Sequence, residues 1–512
     1  MRARFEWHVF LILLLAVGVR LYQINQPMVD AWAWREADTA MIAENFYRKG
    51  FDLLHPRVHW GWADWGQGAP IPPAGEWEKG GYGYIGAEFP LVPALAAALY
   101  TIFGIQNWVG RLISVLLLCL SIPYFYALLR KLVSHRSSVV GTLVYAFVPL
   151  SVFMGRSFMP DAASLGFTVV ALSLFIRWIE DERRRLAFWL SACTLSLAIL
   201  VKPSAAIVGL PLLYLLWQRF GVRLFSVPRL YGFAMLASGP PIAWYVHMAR
   251  VSCTHPPYHF FGSGGVGLVP LNSYGQMLER IVLAELTPLV AAVMLVGLVA
   301  GRSRGNYGRL FHVWLLAFTT FLVLVGDGNY RHPWYHAACV PIAGALVGLA
   351  YERVSPGSTG VWGRRGVALG TVLFLGLSSW LAVRATLPLF HPWGTDLMNL
   401  GLALREKAPT DAVPVFVSEG FPVAAYYWGG KSYLAYTPGG DKELITQLEA
   451  FRAAGATHYA IPSFSLWQLD NHPEFRDHLG RTAMVLDRGA YGVIYELSRS
   501  KRILSEDHSG NH

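Results

Sequence analysis

The sequence predicts a polytopic α-helical membrane protein with a small C-terminal α/β domain, and three observations lead there. The 512-residue chain is 54% hydrophobic and only 14% charged, against about 25% charged for an ordinary soluble domain. Apolar runs long enough, or nearly long enough, to cross about 30 Å of hydrocarbon recur through residues 1–385. From residue 386 onward short strand-like runs alternate with helix-like stretches. The 19 tryptophans suit interfacial belts, where an apolar ring and a polar N–H meet headgroups. A net charge of +10 does not mark a nucleic-acid binder here. The basic residues form short clusters between apolar runs, as membrane loops do.

Taken in order, the first run, 7–22, has no small-residue cleavage site after it and reads as a retained span. Residues 23–88 form a polar first outer loop with Asp30, Glu36, Asp38, Glu44, Asp52, Asp64, Glu76, Glu78 and Glu88. The run 89–104 is short and opened by Pro90 and Pro93, so it reads as a helix on the outer surface. Further runs lie near 108–129, 138–154, 160–179, 187–201, 204–218, 229–248, 281–299, 309–326, 334–351 and 366–385, which gives about eleven spans. Charge supports that count. Arg130-Lys131, Arg183-Arg184-Arg185, Arg219 with Arg223 and Arg229, Arg302 with Arg304 and Arg309, and Arg353 with Arg364 and Arg365 then all face the cytoplasm. The N-terminus is expected in the cytoplasm and the C-terminus outside.

Residues 1–385 are thus read as the membrane module and 386–499 as an extracytoplasmic α/β domain, with 500–512 a disordered tail. The domain's strand-like runs are 413–417, 431–436, 458–461 and 491–495, and its helix-like stretches 396–407, 421–427 and 441–454. No Gly-rich phosphate loop opens those helices. Cys119, Cys193, Cys253 and Cys339 have no ligand spacing and read as small buried hydrophobes.

Chemistry is expected at a few clusters. Helix is plausible from Asp38 onward, where Asp38 either caps the first turn or acts as a general base at the membrane surface. Glu36 competes for that role. Arg156 and Asp161 flank a very tight turn between successive spans, an expensive place for ions unless they are matched or used. Asp161 either caps its helix or orients the substrate or a divalent ion, while Arg156 clamps a phosphate. Lys202, followed by Pro203, is either a snorkelling lysine or part of an anion site for a lipid phosphate. In 326–336, Arg331, His332 and His336 suit a phosphate, and Tyr330, Trp334 and Tyr335 suit stacking on a sugar. The bland alternative is a polar loop with interfacial aromatics. Glu88 either caps the surface helix or organises the acceptor or phosphate site. Cys253, His255 and His259 lack a zinc spacing. No cofactor is required; a divalent cation, magnesium or manganese, would prefer the oxygens of Asp38 and Asp161.

Five motifs in a fixed order carry a resemblance over residues 5–385. They are Arg35-Glu-Ala-Asp-Thr-Ala-Met-Ile-Ala-Glu-Asn-Phe46, Glu88-Phe-Pro-Leu-Val-Pro93, Arg156-Ser-Phe-Met-Pro-Asp161, Val201-Lys-Pro203 and Asn329-Tyr-Arg-His332. On these the chain resembles polytopic GT-C glycosyltransferases, specifically those similar to bacterial protein O-mannosyltransferases and lipid A aminoarabinose transferases. The resemblance implies a GT-C fold in a bacterial inner (plasma) membrane. It implies transfer of a sugar from a polyprenyl-phosphate carrier, on the outer face, to a hydroxyl of a lipid, glycan or protein acceptor. A single inverting displacement would follow, with Asp38 as base and Glu36 and Asp161 as further catalytic candidates. Arg156, Lys202, Arg331 and His332 would meet the donor phosphate, and Glu88, Tyr330, Trp334 and Tyr335 the substrates. The chain departs from the family in its acidic order, Arg35-Glu36-Ala37-Asp38, and in Glu88, where the family often has a lysine. The rival functions are a lipid-linked glycan polymerase or ligase, and a transporter or flippase of lipid-linked sugars. The transporter reading leaves the acidic outer loop without a purpose.

Overall fold

The computed structural model describes residues 6–61, 71–76, 83–85, 88–252, 265–301, 303, 307–354, 361–417, 420–435 and 439–497. Asp64, Glu78, Cys253, His255, His259, Arg302, Arg304 and the stretch 500–512 lie outside the described residues. The chain divides into two compact units. One comprises Met1–Pro27, Ile42–Pro56 and Gly86–His391, and the other Met28–Met41, Arg57–Ile85 and Pro392–His512. Two pieces of the first outer loop therefore fall in the unit that holds the C-terminal segment.

The first unit is helical, and its long helix Pro160–Glu180 is buried along nearly its whole length. Pro160 sits at the first helical position, where its fixed φ fits and its missing N–H costs nothing. Asp161 follows in the first turn, where the exposed N–H dipoles favour a negative charge. The helices His135–Phe147 and Cys339–Val354 touch through glycines. A Cβ on Gly141 would come within 2.4 Å of the Gly344 carbonyl oxygen, and one on Gly344 within 2.6 Å of that of Gly141. Close backbone approach of this kind is how helices pack tightly in lipid.

The expected span count is corrected. Among the described residues five helices are long and apolar enough to cross a membrane: Asn107–Leu129, Pro160–Glu180, Pro203–Ser226, Pro333–Val354 and Arg365–Lys407. A sixth is added if Leu271–Leu286 and Pro288–Val299, bent by 105°, form one span. The chain is a polytopic helical membrane protein with five or six such helices, not about eleven. The physical reason is where helices stop. Trp7–Arg20, Arg185–Val201 and Leu310–Leu324 have 14, 17 and 15 residues, which at about 1.5 Å per residue falls short of about 30 Å. The run 138–154 is cut where Val148, extended ahead of Pro149, ends one helix and starts another.

The second unit is built on a six-stranded sheet. Its strands are β1 (Trp60–Gly61), β2 (Pro414–Val417), β3 (Ser432–Ala435), β4 (His458–Pro462), β5 (Ala483–Gly489) and β6 (Gly492–Leu497), in the order β1-β3-β2-β4-β6-β5. The first four run parallel, and β6 and β5 close the sheet antiparallel. β2 is buried at every residue, as a strand covered on both faces must be, so it reads as an unbroken apolar run. Val415, Leu448, Phe451, Ile461 and Val493 are central to the core. Strands β1 and β5 and the helix Pro473–Thr482 were not anticipated from sequence; β1 is two residues long, and β5 carries Asp487 and Arg488.

Candidate functional site

The first unit's site follows from one proline. Pro203 has no N–H to give the Ile199 carbonyl, and it forces Lys202 into an extended conformation (φ −160°, ψ 113°). The helix Arg185–Val201 ends there, and a 3-10 turn, Pro203–Val208, takes over. The freed carbonyls are satisfied from elsewhere. Tyr245 Oη donates to Ile199 O at 3.1 Å and to Leu200 O at 3.0 Å, and the Phe89 N–H donates to Leu200 O at 2.9 Å. That last bond brings the residue before Phe89 alongside the break. Glu88 Oε1 accepts from Lys202 Nζ at 2.8 Å, and Asp161 Oδ1 lies 3.2 Å from the same ammonium. All three side chains are at most 10% exposed.

A second break faces the first. His332 is extended ahead of Pro333, and another 3-10 turn, Pro333–Ala338, follows. It carries Tyr335, whose ring centroid lies 4.6 Å from Lys202 Nζ, a cation–π contact. Asp161, Lys202, Ser204, Trp314, Trp334 and Tyr335 line one cleft of about 30 Å³, room for about one or two waters. A sugar phosphate needs more space, so binding there requires the cleft to widen.

The structure brings Glu88, Asp161, Lys202, Trp334 and Tyr335 together. Of the other residues named from sequence in this unit, His332 borders the cluster through Trp334 and Tyr335, and Arg156, Arg331 and Tyr330 make contacts of their own. Arg156 is fully buried, donates to Gln23 O at 3.0 Å and lies 4.8 Å from the Phe390 ring centroid. Arg331 is exposed and pairs with Asp327 at 3.0 Å. His332 stacks against Trp334 at 5.0 Å between ring centroids. Tyr330 Oη donates to Gln276 at 2.8 Å. Sequence reasoning missed one buried pair. Glu285, in a π-helical turn, meets His336 Nδ1 at 2.9 Å, with Arg280 Nε 3.3 Å from the carboxylate. Its only sequence signal was a glutamate inside an apolar run.

Asp38 and Glu36 belong to the second unit and are described within it. The helix there starts at Ala33 and runs to Lys49, so Asp38 stands more than a turn inside and is not its cap. Both side chains are buried, at 3% and 0% exposure. Trp60 Nε1, at the start of β1, donates to Asp38 Oδ1 at 2.9 Å. Trp60 is buried edge-on against Phe421.

Among the described residues, one group of three or more metal-ligating side chains converges: Glu6, His8 and His135. Neither Asp38 nor Asp161 belongs to it.

Residues 87–244, less than half of the chain, match the model of the dolichyl-phosphate-mannose-protein mannosyltransferase family. The structure superposes on ArnT from Cupriavidus metallidurans bound to undecaprenyl phosphate with a TM-score of 0.64. That match covers 97% of this chain and 99% of that one at 15% identity. The chain has a GT-C-like fold. The archaeal oligosaccharyltransferase AglB from Archaeoglobus fulgidus, in complex with an inhibitory peptide and a dolichol-phosphate, gives a TM-score of 0.60. It covers 98% of this chain and 75% of its own, at 10% identity. No curated protein sequence matches the chain. The matched segment contains Glu88, Asp161 and Lys202, while Trp314, Trp334 and Tyr335, on the other side of the cleft, lie outside it.

Proposed function

We propose that this protein is a membrane glycosyltransferase that moves a sugar from a polyprenyl-phosphate carrier to an acceptor hydroxyl. The observation that carries the reading is the near full-length GT-C-like fold shared with a structure bound to undecaprenyl phosphate. The acceptor O–H loses its proton to a carboxylate, for which Asp38 is our choice and Glu36 the competitor. The new bond to the anomeric carbon forms as the bond to the carrier phosphate breaks, and the phosphate leaves with the electron pair. One displacement inverts the centre. Lys202 is the cation we assign to the leaving phosphate. The family's lysine is absent at position 88, but Lys202 Nζ lies 2.8 Å from Glu88, so the charge reaches the same neighbourhood from another helix. Lys202 already faces two carboxylates. An incoming phosphate must displace one of them, and Glu88→Gln should therefore lower the KM for the donor.

The remaining roles are assigned by analogy of chemistry. Trp334 and Tyr335 offer ring faces to a sugar, with Tyr330 beyond them. Arg156, Arg331 and His332 are secondary phosphate candidates that would need to leave their present partners. A divalent cation on Asp161 Oδ1 would have to displace the Lys202 ammonium, 3.2 Å away. We place the N-terminus in the cytoplasm and the second unit's sheet outside on the strength of the arginine clusters.

The test is turnover of purified protein in lipid with labelled polyprenyl-phosphate sugars and crude envelope acceptors. Asp38→Asn should lose transfer. Asp52→Asn should keep it, since Asp52 is exposed and bonded to His55 at 2.9 Å. Full turnover in Asp38→Asn would remove it as base. Movement of an intact lipid-linked sugar across the bilayer without transfer would replace the whole reading with a flippase.

A further inference from the structure

The first helix begins beside a set of ligand-bearing side chains that the transfer reaction does not use. Glu6 holds the position before the helix Trp7–Arg20, yet its carboxylate caps no N–H of that helix. It accepts instead from Tyr126 Oη at 2.9 Å and lies 3.5 Å from His135 Nδ1. Tyr126 Oη is also 2.7 Å from His135 Nδ1. His8 completes the set, its ring centroid 5.0 Å from that of His135. Its buried Nδ1 has no hydrogen-bond partner among the described residues. One ligand atom from each of Glu6, His8 and His135 lies within 4.8 Å of the others.

We propose that Glu6, His8 and His135 hold a zinc ion. The donor set favours a borderline transition ion such as zinc over the hard cations. Two imidazole nitrogens and one carboxylate oxygen are ligands that zinc takes, leaving a fourth position for water. Magnesium and calcium want oxygen throughout. Tyr126, touching two of the three ligands, orients them, as groups behind metal ligands commonly do. The unsatisfied His8 nitrogen, which otherwise costs desolvation without return, gains its partner. Glu6 and His135 are 41% and 39% exposed, so an ion can reach the site.

The structural consequence is a clip. The far end of the same helix is already fastened, since buried Arg20 donates to Ala146 O at 2.8 Å and to Ser151 O at 2.9 Å. Zinc would tie its near end to the start of the helix His135–Phe147. Both ends of the first helix would then be fixed to the same neighbour.

The test uses full-length protein purified without a histidine tag, equilibrated with micromolar ZnCl2, desalted and analysed for metal. About one zinc per chain should be retained, and affinity should fall at least tenfold in Glu6→Gln and in the double variant His8→Asn/His135→Asn. His391→Asn, an exposed histidine elsewhere, should retain the metal. Cobalt substitution should give the intense visible absorption of a four-coordinate site, absent from the double variant. Zinc content unchanged in both Glu6→Gln and the double variant, or no zinc retained by the parent protein, overturns the proposal. Sugar transfer is not among the readouts, so failure here leaves the proposed transfer untouched.

Discussion

The two units bury carboxylates in different company. In the helical unit Glu88 and Asp161 share the ammonium of Lys202, whereas in the sheet unit Asp38 takes a hydrogen bond from the neutral indole of Trp60. The difference separates two uses of a buried acid. A carboxylate facing a buried ammonium is held by Coulomb attraction, and taking either partner away leaves an uncompensated charge. A hydrogen bond from an indole N–H positions a carboxylate with a neutral donor rather than with a countercharge. The first arrangement suits a charge that must be exchanged for a phosphate, and the second suits a base.

The sharpest way to break that contrast is Asp38→Asn. It keeps shape and the acceptor oxygen but cannot take a proton, and transfer should fall by about 10²–10⁴-fold, the usual range for a general base. Steady-state turnover with labelled donor reads this directly. A stability loss with transfer intact would erase the distinction between the two acids.

Lys202→Met comes next. It removes the ammonium that two buried carboxylates share and should destabilise the protein by about 3–5 kcal/mol, seen as a large drop in the thermal midpoint in lipid. Adding Glu88→Gln should recover part of the loss, because one of the two like charges is gone; strict additivity would argue against the pairing.

Trp60→Phe keeps a buried aromatic ring but removes the N–H together with part of the indole's volume. It should cost about 1–3 kcal/mol, the penalty of leaving a buried acceptor short of its donor, and should lower transfer with little change in donor KM. A shift confined to KM would move Trp60 to donor binding.

The smallest effect lies at the edge of the sheet unit. Hydrogen bonds from Lys407 and then from Tyr491 hold Asp487 below its ordinary carboxylate range. A depressed native pKa gives stability that is present above the unfolded value of about 3.9. It is lost as pH falls through the native value. Asp487→Asn should therefore cost about 0–1 kcal/mol at neutral pH and flatten the acid limb of the unfolding curve. An unchanged acid limb would show that other carboxylates set it.

Much of this was legible residue by residue. Asp161 and Lys202 stood out as ions in apolar surroundings, and their cost in lipid marked them for pairing or use. The strand-like runs at 413–417 and 458–461, read from their Val, Phe, Tyr and Ile, are strands in the sheet. The span count was not legible, because hydropathy adds up apolar residues without knowing where helices stop: Pro149 divides the run 138–154, and Trp7–Arg20, Arg185–Val201 and Leu310–Leu324 end short of a bilayer's thickness. One reading of Asp38 was a cap because nothing in Ala33–Arg35 signals a helix start; the helix begins at Ala33, more than a turn earlier. Glu285 and His336, 51 residues apart, gave no hint of each other.

By itself, the sequence determined the solvent and the currency of this protein. Its apolar fraction requires a bilayer, and each ion inside it must find a counterpart. Only the folded chain decided which counterparts meet. Lys202 and Glu88 are 114 residues apart, and they are neighbours because a proline leaves two carbonyls unpaired that Tyr245 and Phe89 then satisfy. Long-range pairing of this sort is set by where backbone hydrogen bonds must be completed, which no local pattern of residues encodes.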